Sequence, residues 1–196
     1  MNIYILLAVI CILFGIYPLL KVPFRRMRLN RLQNELQYGQ FENFEKDLES
    51  PMSRWVFTPY NIEYARLNEY LVKGEDDKLG EQYDKLINLA RTKQARLDIY
   101  TRAFEYYAMN GNKERSEPLL DEIRMLNVPE AQAHAELIWD IFILKKSNHI
   151  NELKEASKDA DALNRGMYAY LIAEQYRNRG DEKNAEKYEA ESKKYL

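Results

Sequence analysis

The apolar positions of the chain follow two rules, one on each side of a short basic stretch. From Ile3 to Leu20 the sequence reads IYILLAVICILFGIYPLL, an unbroken apolar run without a charge, and Val22, Pro23 and Phe24 carry that character past Lys21. At about 1.5 Å per helical residue the run nearly matches a hydrocarbon core of about 30 Å, with Tyr4 and Tyr17 near its two ends where aromatic rings favour the headgroup boundary. Beyond residue 28 the rule changes: apolar residues recur at three- and four-residue spacing among good helix formers, and alternating runs of Val, Ile or Thr are missing. The pattern predicts one transmembrane helix followed by an all-α domain, with residues 1–27 as anchor and flank and 28–196 as the helical domain.

Charge sharpens the first part of this picture. Lys21, Arg25, Arg26, Arg28 and Arg31 follow the apolar run with no acid among them. Of the 29 Lys and Arg in the chain, the remaining 24 face 31 Asp and Glu, so the rest of the molecule is acidic. An acidic domain is a poor partner for nucleic acid, whose binding depends on clustered cations. Basic residues beside a span are retained on the cytoplasmic side, which predicts a single-pass protein of the cell membrane with its N-terminus outside and its C-terminal domain in the cytoplasm. The same five residues are suited to rest on the anionic headgroups of the lipid bilayer. Few residues precede the apolar run and Leu19, Leu20 and Lys21 end it, so neither flank has the form of a cleaved signal. Cys11 is the single cysteine, which leaves no disulfide framework or cysteine-based zinc site within one chain.

The punctuation of the helical part is periodic. Gly39, Gly74, Gly111 and Gly180 are separated by 35, 37 and 69 residues, the last interval being two periods with a member missing near residue 146, where Ser147-Asn148 stands. Aligned on these turns, Leu36, Tyr70, Tyr107, Leu144 and Tyr176 precede the turn. Phe44, Leu79, Ser116 and Ala185 follow it, and Leu48, Tyr83 and Leu120 come one helical turn later. The pattern resembles the tetratricopeptide repeat, a helix-turn-helix unit of about 34 residues. YNIEYARLNEYLVKGEDDKLGEQYDKLINLA and YAYLIAEQYRNRGDEKNAEKY are the closest matches, the early tryptophan of the family is absent, and Pro51, Pro59 and the run SRWVFTP make the first junction irregular. The resemblance implies a solenoid of about five units in which each helix pair buries its apolar face against its neighbours.

It also implies a binding face. In such repeats the first helix of each unit lines a concave side, which here carries Tyr64, Asn68 and Leu71, then Thr101, Glu105 and Met109, then Ile138 and Phe142, then Tyr170 and Glu174. That mixture of polar and aromatic groups suits a peptide or helix rather than a small-molecule substrate. The cationic clamp by which some members hold a chaperone tail has only Asn68 of the right type.

No catalytic constellation emerges from the residues. His134 and His149 lack a cysteine partner, no metal set is evident, and no Gly-rich loop brackets a phosphate-binding Lys. Asp76-Asp77 falls in an expected turn, where carboxylates are solvated. The expectation is therefore a non-enzymatic, cofactor-free, membrane-anchored scaffold for a protein or peptide partner. An extracytoplasmic assembly chaperone with the opposite topology, and an enzyme with an unrecognised site, remain the alternatives.

Overall fold

A computed structural model describes residues 21–195, and all regular structure among the described residues is helical. The span expected over Ile3 to Leu20 lies outside them; no helix among the described residues is long and apolar enough to cross a membrane. The chain divides into two compact units, one ending at Ala90 and one running from Arg91 to Leu196.

In the first unit, α1 is helical over residues 21–37, so the boundary expected at residue 27 falls inside a continuous helix. It is followed by α2 (Phe41–Leu48), α3 (Pro51–Val56), α4 (Pro59–Lys73) and α5 (Asp76–Leu89). The irregular junction read from SRWVFTP is an extra short helix, and its two prolines have a definite use. Pro51 and Pro59 each occupy the first turn of a helix, where a missing N–H costs nothing. Ser50 caps α3 by accepting from the Ser53 N–H, and Thr58 and Asn61 form a reciprocal capping box at the start of α4. Leu32, Phe44, Leu48, Val56 and Phe57 form the buried core that α1 to α3 share, with Trp55, Ile62 and Ala65 packed on it.

The second unit holds α6 (Lys93–Met109), α7 (Lys113–Met125), α8 (Pro129–Phe142), α9 (Ile150–Ala156), α10 (Ala162–Asn178) and α11 (Glu182–Ser192). α6 packs on α7 and α10 on α11 as antiparallel hairpins, as α4 does on α5 in the first unit.

Four expected turns share one construction. Gly39, Gly74, Gly111 and Gly180 all have φ between 66° and 75°. In each, the glycine N–H donates to the carbonyl three residues back and the next N–H to the carbonyl five back, as in Gly111 to Ala108 at 2.9 Å and Asn112 to Tyr107 at 2.9 Å. This is the hydrogen-bond pair by which a left-handed residue closes a helix. The packing positions aligned on these turns also agree, since Phe44, Leu79, Ser116 and Ala185 are all buried.

The fourth turn departs from the others. Lys145, not a glycine, takes the positive φ, of 53°, and the Lys146 N–H reaches back to Asp140 C=O. Leu144, aligned with the packing tyrosines, is 45% exposed. α9 packs on α10 rather than folding back along α8. The connection from Ile143 to His149 is too long for a tight hairpin, and α10 takes over the capping. Asn178 Nδ2 donates to Ile141 C=O at 2.8 Å and Lys146 C=O at 3.1 Å, and Gln175 Oε1 accepts from the His149 N–H at 2.8 Å.

Candidate functional site

In the first unit two of the expected face residues line a cavity. Tyr64 and Asn68 stand on α4 one turn apart, and facing them on α1 are Arg25, Leu29, Leu32, Gln33 and Leu36, with Phe44 and Phe57 in the wall. The cavity has a volume of about 260 Å³. It exists because α1 has two working faces. One side, carrying Arg28, Arg31 and Glu35, is bound to α2 and α3, and the Leu29, Leu32, Leu36 stripe faces the cavity. Leu71, the third expected residue of α4, is exposed and is not part of the cavity wall.

The ion pairs that hold α1 revise the reading of the basic flank. Arg28 lies 3.2 Å from Asp47 and donates through Nε to Ser53 Oγ at 3.1 Å, while Arg31 pairs with Asp47 and with Glu35 at 3.0 Å. Arg28 is therefore satisfied inside the protein, and Arg31 is partly so. Sequence alone could not anticipate this, because the partner Asp47 stands nineteen positions from Arg28 and on another helix.

Beside this cluster, α4 carries a charged seam toward α2 and α5. Arg66 reaches Glu63 at 3.0 Å, Glu45 at 3.6 Å and Glu49. Burial alone would lower the Arg66 guanidinium, but these carboxylates outweigh it and hold it raised. Glu63 is also in contact with Lys85 at 3.0 Å and receives a bond from Gln82, which together overcome burial and lower it. Glu69 behaves oppositely: it is 1% exposed, and burial together with the neighbouring Glu45 pushes it up to about 7, against the pull of Lys73 at 3.5 Å. Asp76 and Asp77 lie in the first turn of α5, where the helix dipole favours them.

In the second unit the expected residues separate into three groups. Thr101 and Glu105 line a shallow open depression on α6 with Gln94, Leu97 and Arg102, and Met109, 41% exposed, stands one turn beyond Glu105. Ile138 and Phe142 belong to the core, at 1% and 5% exposed, because that side of α8 meets α6 and α10. Their assignment to a binding face is corrected accordingly. Tyr170 is half-buried with its ring 6.1 Å from that of Phe142, and burial raises its hydroxyl pKa. Glu174 is engaged by Arg177, which also holds Glu189 of α11.

Both histidines are tied into hydrogen bonds with acids. His134 Nε2 lies 2.7 Å from Glu105 Oε1, joining α8 to α6, and His149 lies 3.1 Å from Asp140 and 3.4 Å from Glu152. Among the described residues no group of three or more His, Cys, Asp or Glu is placed to hold a metal ion. Sequence reasoning missed Arg25 and Leu29 as cavity residues. The signal was the apolar stripe Leu29, Leu32, Leu36 continuing at helical spacing straight out of the basic flank. Comparison with protein-family models, curated proteins and solved structures finds no match for this chain.

Proposed function

We propose that the protein is a membrane-anchored interaction scaffold: its N-terminal apolar run holds degenerate tetratricopeptide-like helical hairpins at the cytoplasmic membrane surface, where they bind a protein segment. The observation that carries this reading is the open depression on α6, where half-buried Thr101 and Glu105 and exposed Met109 follow one another at four-residue spacing. A shallow strip of this kind, mixed in polarity and shared with His134, suits a docked helix or extended peptide better than an enclosed substrate. The repeat reading draws support from the common turn at Gly39, Gly74, Gly111 and Gly180. The anchor draws support from the uncharged run Ile3 to Leu20 and from Lys21, Arg25 and Arg26 after it.

The test places a photo-crosslinking residue at position 101 or 109 of the full chain in its native membranes, with position 187 on α11 as the control. Adducts to one protein from 101 and 109, absent from 187, are expected. Equal labelling at all three positions, or a complex that survives every change on α6 and disappears when residues 3–20 are exchanged for an unrelated span, overturns the α6 assignment. Protease added outside intact cells is expected to spare the helical domain; digestion there overturns the orientation.

A further inference from the structure

No loop separates the basic flank from the folded core. α1 is helical from residue 21 to residue 37, and Arg28 within it is fixed to α2 and α3 through Asp47 at 3.2 Å and Ser53 Oγ at 3.1 Å. The turns before Arg28 are different in kind. Val22 and Met27 are 67% and 57% exposed, Phe24 is exposed beside them, and Lys21, Arg25 and Arg26 stand between them with no ion pair among the described residues. Past Leu29, the described residues expose large apolar side chains only singly or as the neighbours Leu71 and Val72. At about 100° per residue, Phe24 and Met27 share one side of the helix and Val22 lies nearly opposite. Phe24 also has a neighbour from another element: its ring centroid is 5.8 Å from that of Trp55 on α3, a half-buried residue packed on the core of the first unit.

We propose that the first unit is seated directly on an anionic bilayer: Lys21 to Met27 cross the headgroup layer, with Lys21, Arg25 and Arg26 on lipid phosphates, and Trp55 touches the membrane beside Phe24. The seat depends on the N-terminal apolar run being a membrane anchor, the reading proposed above. Three observations select the bilayer as the occupant of this surface. Six helical steps from Lys21 to Met27 rise about 9 Å, close to the thickness of about 5–8 Å that the headgroup region adds on each side of the hydrocarbon core. Exposed apolar groups on opposite sides of one helix suit a medium that surrounds it, whereas a docked protein, a second copy of this chain included, covers one side. The unpaired cations complement anionic headgroups, and paired aromatic rings such as Phe24 and Trp55 favour the headgroup boundary. Trp55 stands 35 positions beyond Leu20 and outside the basic flank, so its contact with lipid is set by the fold and not by closeness in sequence. Because Arg28 locks α1 to α2 and α3, the seat holds the first unit against the membrane instead of leaving it on a tether.

The experiment uses the full chain carrying Trp139→Phe, which leaves Trp55 as its one tryptophan. The chain is placed in nanodiscs of phosphatidylcholine and phosphatidylglycerol, with plain lipids or with lipids brominated near the headgroup end of the acyl chain. Trp55 emission is expected to fall at least twofold in the brominated discs, and acrylamide added to the water is expected to quench it weakly. Arg25→Gln together with Arg26→Gln, both at exposed positions, removes about fivefold per cation from the seated population, so most of the bromolipid quenching is expected to disappear and acrylamide quenching to rise. Circular dichroism confirms that the variants keep their helices. The seat is overturned if Trp55 emission is the same in plain and brominated discs that hold the chain, or if the double variant quenches as the parent does. Protection from acrylamide that appears only in discs carrying two chains, without bromolipid quenching, assigns the surface to a second copy and also overturns it. A chain that fails to stay with the discs overturns the anchor and the seat together, whereas a chain that stays but leaves Trp55 unquenched by bromolipid overturns the seat alone.

Discussion

The Arg28 guanidinium lies 3.2 Å from the Asp47 carboxylate, both side chains mostly buried, and this contact fastens α1 to α2 from within a stretch that the sequence presents as a basic membrane flank. Removing the acid leaves a buried cation without its counter-charge, which is costlier than losing the pair. Asp47→Ala is expected to destabilise by about 3 kcal/mol. Arg26→Ala, at an exposed position, is expected to change stability by less than about 0.5 kcal/mol. Thermal melting of the full chain in detergent separates them, and equal shifts would deny Asp47 its structural role.

Gly111 tests the common turn. Its φ is +70°, and a Cβ built there would meet nothing within 4 Å, so only backbone strain opposes a side chain. Gly111→Val is expected to cost more than about 1 kcal/mol, because left-handed backbone is disfavoured for L-residues and most of all for β-branched ones. Gly111→Asn should cost less, since Asn visits this region readily. A valine variant that melts with the wild type would show that the turn does not need the positive φ.

Ile138 and Phe142 distinguish core from surface. Ile138→Ala and Phe142→Ala are each expected to destabilise by about 2–5 kcal/mol, as buried large-to-small changes do. Met109→Ala, at an exposed position, should be nearly silent in stability. Denaturant titration followed by circular dichroism measures all three, and a neutral Phe142→Ala would return that residue to the list of candidate contact positions.

Glu69 gives a pH dependence with a definite sign. Its carboxyl is raised from 4.5 to about 7 in the folded chain, so the folded state binds this proton more tightly than the unfolded state does. Its protonated form supports folding fully below about 4.5, and that support is lost as pH rises toward 7. The penalty above pH 7 is on the order of 3 kcal/mol at most, from 1.36 kcal/mol per pKa unit. Glu69→Gln should therefore stabilise the protein at pH 8 and change little at pH 4. Carboxylates held low by cations, such as Glu63 and Asp140, act in the opposite direction, so the difference between wild type and Glu69→Gln is the quantity to follow. A difference that does not vary with pH would remove Glu69 as the titrating group.

The sequence by itself determined the helical class, the four glycine turns and the packing residues around them. These depend on local physics: the spacing of apolar side chains repeats the helical period, and a positive φ selects glycine whatever lies nearby. It also located Tyr64 and Asn68 together on α4. Only the tertiary structure decided that Arg28 and Arg31 serve Asp47 and Glu35, that Ile138 and Phe142 are core, and that α9 leaves α8 for α10. Each of these depends on a partner distant in sequence. Arg28 reads as a lipid-facing cation until another helix brings Asp47 beside it. An apolar residue on a first helix reads the same whether the next helix covers it, as at Phe142, or leaves it open, as at Met109. The α1–α4 cavity belongs to the same group, because a void is set by how closely two helices approach, and that distance is fixed by every side chain between them.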